Sequence, residues 1–201
     1  EESLSGAGPR STPTFVGGRI YTMGAKGNVN CLEAATGKVV WSRDVVVDAE
    51  LEEKDLPQWG YSVSPLVVDG LVIVHAGGKK SKSILAYHAD TGEVAWTAAA
   101  GTQSYSSPQL VELSGEKLVL MQDDNGIVAL SPADGKVLWN VPPIGDKSLP
   151  MLQPHVTPAG EVLVPTEPGI VLLAPKKDGD TWTAEPRWSS NKFRPGFSDF
   201  V

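Results

Sequence analysis

One ten-residue pattern occurs three times without a gap. Leu32–Trp41, Tyr87–Trp96 and Leu130–Trp139 all read apolar-x-x-x-(Thr/Asp)-Gly-(Lys/Glu)-Val-x-Trp. A fourth copy is degenerate. Leu173-Ala174-Pro175 passes through a Lys176-Lys177-Asp178-Gly179 turn and reaches Trp188 after a longer excursion. The four tryptophans stand 55, 43 and 49 residues apart. A second block precedes each unit, clearest in Ser64-Pro65-Leu66-Val67-Val68-Asp69-Gly70-Leu71-Val72-Ile73-Val74. Its proline recurs as Pro13, Pro108 and Pro154. A chain with this period is confined to repeat architectures, in which each unit covers the apolar face of the next.

Each unit reads as four short strands. Runs of four to six residues rich in Val, Ile and Leu are separated by Asp-Gly, Gly-Gly, Asn-Gly or Thr-Gly, which supply the positive φ of tight hairpins. Proline stands at strand entry, where its missing N–H forfeits no ladder bond. Helical periodicity is absent except over Ala49–Leu56, an acidic insertion that accounts for the longest interval. Four-stranded antiparallel units at this spacing predict an all-β propeller, here about four blades. The approximate blades are 9–45, 60–100, 103–142 and 150–189, within one partial-propeller domain, and a further blade starts at 196–201. Trp41, Trp96, Trp139 and Trp188 are expected on the outer strands, each packing against the neighbouring blade. Gly37, Gly92 and Gly135 provide the turns that aim the first three inward.

Composition removes several functions. A net charge of −7 gives no basic face for nucleic acid or an anionic membrane. No apolar run approaches the roughly 18 residues of a membrane span. Cys31 is the only cysteine, so neither an intrachain disulfide nor a multi-cysteine zinc site is available. Glu1 opens the chain with no apolar leader behind it, and Ser198-Asp199-Phe200-Val201 looks like a strand just beginning. The chain therefore reads as a fragment or a processed product.

The run Ala89-Asp90-Thr91-Gly92-Glu93-Val94-Ala95-Trp96, with its copies ending at Trp41 and Trp139, resembles the tryptophan-docking repeat of pyrroloquinoline-quinone-like β-propellers. That family includes quinoprotein alcohol dehydrogenases and the propeller lipoprotein of the outer-membrane barrel-assembly machinery. The runs Gly60–Val67 and Asn191–Val201 are similar to those of bacterial outer-membrane-biogenesis-like repeat proteins. The resemblance implies a bacterial, periplasmic or otherwise extracytoplasmic, non-catalytic binding or scaffolding propeller. It would recognise a protein, peptide or glycan on its funnel face and hold no cofactor. The alternative is part of a dehydrogenase dependent on pyrroloquinoline quinone (PQQ) and calcium. Those enzymes are recognised by a vicinal cysteine pair, a catalytic Asp and a calcium site, and one cysteine cannot supply the pair.

Other chemistry is sparse. Asp123-Asp124-Asn125-Gly126 gathers oxygen ligands but lacks the terminal Glu of a calcium loop, and reads as a hairpin turn. His75, His88 and His155 have no metal-ligand spacing. Ser104 and Ser106, flanking Tyr105, have no positioned base. Cys31 reads as a buried thiol. No catalytic or metal-binding residue is assigned. In a propeller, however, the loops entering the first strand of each blade open on one face. Here they carry Arg10, Trp59, Tyr61, Gln103, Tyr105, Gln153, Phe193 and Arg194, a composition typical of binding surfaces. An incomplete propeller also exposes blade edges, so a homodimer is a further expectation.

Overall fold

Asp69 and Gly70 both have positive φ, 47° and 79°. This mirror-image turn matches the twist of paired strands, so a two-residue loop closes the hairpin. Gly17-Gly18 (58° and 77°) and Ser114-Gly115 (51° and 77°) repeat it at the same place. A computed structural model describes residues 10–145, 150–166 and 169–193. Over these, the sequence repeats appear as four four-stranded antiparallel meanders. The first comprises β1 (Thr14–Val16), β2 (Arg19–Met23), β3 (Asn28–Glu33) and β4 (Val39–Asp44). The second comprises β5 (Leu66–Val68), β6 (Leu71–His75), β7 (Ile84–His88) and β8 (Val94–Ala98). The third comprises β9 (Gln109–Leu113), β10 (Glu116–Asp123), β11 (Gly126–Leu130) and β12 (Val137–Val141). The fourth comprises β13 (His155–Val156), β14 (Val162–Pro165), β15 (Ile170–Asp178) and β16 (Thr181–Ser190). The fold is that of a partial β-propeller.

The repeated tryptophans fall at one structural position. Trp41 pairs with Cys31, Trp96 with Ala86, Trp139 with Ala129 and Trp188 with Leu172. A β-bulge follows each of those partners at once. The extra residue, Val40, Ala95, Leu138 or Arg187, lies on the outer strand and bends it just before the tryptophan.

The chain divides between Thr102 and Gln103 into two compact units. In the first, Tyr21, Met23, Val29, Cys31 and Trp41 of one sheet meet Val72, Val74, Leu85 and Tyr87 of the next, all buried. The expected helix over 49–56 lies elsewhere. Asp44 accepts a bond from the Val46 N–H and caps α1 (Val45–Asp48), and a 3-10 turn covers Glu53–Asp55. The cap precedes the acidic run, so the helix starts earlier than composition suggests.

In the second unit Leu118, Leu120, Ile127, Ala129, Trp139 and Val141 pack with Val162, Val164, Val171 and Leu173. Here the outer turn differs. β15 and β16 continue past the bulge as a long hairpin, pairing Lys177 with Trp182. Trp182 is buried, while Lys177 forms an ion pair with Glu116. That lysine holds the Glu116 carboxyl below its usual range, with a smaller contribution from the Trp182 N–H. The blade expected to start at 196–201 lies outside the described residues.

Candidate binding site

The packing between sheets decides which expected site residues remain available. In the first unit the Trp41 indole N–H donates to the Ala89 carbonyl at 2.8 Å. Its ring lies 6.2 Å from both Tyr21 and Tyr87. Burial pushes the Tyr21 hydroxyl up to about 12, aided by the Cys31 thiol beside it. Trp139 is buried as well, but its indole N–H has no partner. The fourth sheet lacks the (Thr/Asp)-Gly turn of the other three, and the long β15–β16 hairpin stands in its place. Trp96 is half-buried and Trp188 is 43% exposed. Gly92 and Gly135 are buried, whereas Gly37 is exposed.

The eight residues expected on a binding face separate by environment. Tyr61 is 3% exposed, and its hydroxyl donates to the Ala76 carbonyl at 2.9 Å. Burial drives that hydroxyl's ionisation upward, so Tyr61 is a core residue. Trp59, two residues earlier, is exposed, because Gly60 turns the chain at φ 73° against Ala25. Arg10 is half-buried. In the second unit Tyr105 is buried, and its N–H donates to the Pro150 carbonyl at 3.0 Å. The Gln103 N–H donates to Asp124 Oδ1 at 2.9 Å, and Gln153 Nε2 to the Ser107 carbonyl at 3.0 Å. Phe193 is exposed. Arg194 lies outside the described residues.

These bonds fix the margin of a cleft in the second unit. Its floor is Gln122, Asp123 and Asp124 at the β10–β11 turn, and its walls include Pro142, Pro143, Ile144 and Pro150. The interior is small, about 40 Å³. Gln122 is 7% exposed, and its Nε2 donates to the Pro165 carbonyl. Its Oε1 has no partner, an open acceptor of the kind buried polar groups rarely leave unmet. Ile144 and Thr166 also line a wider groove of about 430 Å³ that runs past Ser189 and Ser190 to Asn191 and Lys192. Ile144 and Thr166 therefore border both cleft and groove.

Sequence reasoning missed Gln122 and the proline wall. Both left signals. Leu118, Leu120 and Gln122 alternate on one face of β10, which places a polar side chain inward. Pro142-Pro143 follows a strand directly.

The remaining candidates have structural partners. Asp123 Oδ1 accepts from the Asn125 N–H at 2.8 Å, closing the hairpin turn. Ser104 Oγ donates to the Gln122 carbonyl at 2.7 Å. His75 is buried with Nε2 3.1 Å from the Gly101 carbonyl, whereas His88 and His155 are exposed. Cys31 is fully buried between the first two sheets. Among the described residues no three His, Cys, Asp or Glu side chains gather where they could hold a metal ion. Cys31, the single cysteine, is sealed in the core, so the chain itself supplies no vicinal cysteine pair for a PQQ–calcium centre.

Comparison with known proteins agrees with this architecture. BamB of Yersinia pestis, an outer membrane protein assembly factor, is 26% identical over 132 residues, which is 64% of this chain and 31% of that protein. The quinohemoprotein alcohol dehydrogenase ADH IIB of Pseudomonas putida is 32% identical over 83 residues, 40% of this chain and 11% of the enzyme. The crystal structure of BamB from Moraxella catarrhalis superposes with a TM-score of 0.59 at 16% identity, covering 90% of this chain and 51% of that one. The chain thus spans less than a third of the curated BamB sequence and about half of the solved one. A family model described as outer membrane protein assembly factor BamB matches residues 2–149, and this chain belongs to that family.

Proposed function

We propose that the chain is part of a non-catalytic scaffold that binds a protein or peptide outside the cytoplasm, through the cleft and groove of the second unit. The carrying observation is that Ile144 and Thr166 line both, with the unpartnered Oε1 of Gln122 in the lining of the cleft. An extended segment laid in the groove would place one side chain in the proline-walled cleft, where a donor group on it meets Gln122. The outer-membrane assembly role belongs to the BamB relatives by name, and it supports the extracytoplasmic setting. Among the described residues no helix is long and apolar enough to cross a membrane.

Panning a random peptide display library on the chain tests this reading. Enriched peptides should lose binding to Gln122→Leu and Ile144→Asp, and keep it on a variant altered at exposed Val94. Failure to enrich, or binding indifferent to both cleft variants, overturns it.

The alternative, a segment of a quinoprotein dehydrogenase, is favoured by the 32% identity to ADH IIB. Added PQQ and calcium separate the two. Cofactor-dependent dye reduction by the chain would replace the scaffold reading.

A further inference from the structure

The cleft of the second unit has its hydrogen-bonding groups sorted by kind. Gln122 and Asp123 are 7% and 6% exposed. The Pro165 carbonyl beside Gln122 can only accept, so the amide nitrogen must face it. Oε1, on the other side of the amide, is left as an acceptor without a donor. Backbone donors at the cleft are spent as well. The Asp124 N–H donates to the Gln103 carbonyl at 2.9 Å, and the Thr166 N–H to the Gly169 carbonyl at 2.8 Å. Pro142, Pro143 and Pro150 have no N–H to give. The Thr166 hydroxyl can accept as well as donate.

Charge follows the same division. Asp123 and Asp124 bring two acidic side chains, and none of the described residues lining the cleft is Lys, Arg or His. Each acid is oriented by one backbone donor at Oδ1, the Asn125 N–H for Asp123 and the Gln103 N–H for Asp124. A carboxylate accepts up to about four such bonds. The cleft is therefore built to receive donors, and an anion brought there would meet like charge.

Gly126 holds the wall against this acidic turn. A Cβ there would strike the Val141 carbonyl oxygen and stand 2.9 Å from the Pro143 nitrogen. Only this close approach lets the chain leaving β12 border the β10–β11 turn. The interior of about 40 Å³ takes about three water-sized groups. An ammonium with two methylenes behind it has that size. A guanidinium brings a planar fork of four heavy atoms before any stem is counted.

We propose, resting on the peptide-binding reading above, that the cleft is a subsite for a primary ammonium, the ε-ammonium of a lysine in the bound segment. It donates to Gln122 Oε1, while Asp123 and Asp124 supply the opposite charge. The lysine stem lies along Pro142, Pro143 and Ile144, as such stems do on apolar surface. Charge selects lysine over a neutral donor, and size selects it over arginine.

The small probe n-butylammonium tests the subsite apart from any peptide. Heteronuclear NMR of the whole chain should show saturable shifts of the Gln122 side-chain amide and the Gly126 N–H. Gln122→Leu should abolish the shifts at Gly126. The double variant Asp123→Asn, Asp124→Asn keeps an acceptor at each position and should bind about tenfold more weakly. Neither n-butanol nor n-butylguanidinium should reproduce the shifts. In peptides enriched by panning, replacing one lysine by norleucine should weaken binding about tenfold, and arginine should not restore it. A Gln122 amide that n-butylammonium leaves unmoved, or that n-butanol moves equally, overturns the proposal. Peptides that need Gln122 and Ile144 but no lysine also overturn it, and leave the scaffold reading standing. Saturable n-butylammonium shifts without any enriched peptide support the ammonium subsite and overturn the scaffold reading instead.

Discussion

A Cβ on Gly92 would stand 2.7 Å from Cδ2 of the Trp41 indole. The Thr-Gly turn is therefore two things at once, a left-handed corner in the backbone and the floor of an aromatic seat. Alanine scanning separates these roles. Gly37→Ala meets open space and should lose about 1 kcal/mol from left-handed strain alone. Gly92→Ala adds displacement of a buried ring and should lose about 3 kcal/mol or more. Urea titration of both variants decides; equal losses would mean that the indole does not depend on the turn.

The two buried indoles differ in hydrogen bonding. Trp41→Phe removes a donor and leaves the buried Ala89 carbonyl short of one bond. Trp139→Phe removes an N–H that already lacks a partner. Both lose ring volume, so the difference isolates the hydrogen bond. Trp41→Phe should be the more destabilising by about 1 kcal/mol, read from denaturant midpoints.

Asp48 ties α1 to both sheets of the first unit. Arg43 Nε donates to its Oδ2 at 3.0 Å, and the Tyr87 hydroxyl donates to the same oxygen at 3.0 Å. The carboxylate hydrogen bond draws the Arg43 ionisation above its usual range. The guanidinium also lies 5.9 Å from the Tyr87 ring centre. Asp48→Leu would strand both donors and should lower stability by about 2 kcal/mol. Stability unchanged in thermal unfolding would show that water replaces the carboxylate at no loss.

Alkaline pH should unfold the first unit cooperatively. Tyr21 ionises at about 12 in the fold against 10.0 unperturbed. Burial raises Tyr61 and Tyr87 too, Asp48 adding to the effect at Tyr87. Each folded value lies above the unfolded one, so the stabilisation is fully present below pH 10 and is lost as pH rises through the folded values. Each such tyrosine steepens the fall by about 1.4 kcal/mol per pH unit between its two values. Absorbance at the phenolate band and circular dichroism should change together. Phenolate formation well before any loss of structure would contradict the burial.

The repeat was legible because its parts are local. Each Gly-x-Val-x-Trp run encodes a turn, a strand and a large ring by neighbouring residues alone, and each sheet is a meander of adjacent strands. What escaped the sequence depends on contacts far apart in the chain. Tyr61 and Tyr105 look like exposed loop aromatics, but both are buried, and each is tied to a residue distant in sequence, the Tyr61 hydroxyl to the Ala76 carbonyl and the Tyr105 N–H to the Pro150 carbonyl. The cleft was missed because its proline wall follows β12 while its floor is the β10–β11 turn. Nothing local marks Gln122 as half-satisfied, although its inward position can be read from the alternation. The helix was misplaced because composition favoured the acidic run, whereas the Asp44 cap set the start.

The long β15–β16 hairpin bears on how such an array can be rebuilt. The Thr-Gly corners of the first two repeats follow a common plan, and a module cut between them could be duplicated with its indole seat intact. The fourth instead clasps a particular neighbour through Trp182 and Lys177 on Glu116. A shuffled array that placed it after a module without that glutamate would lose the clasp, so the last two modules should be moved only as a pair.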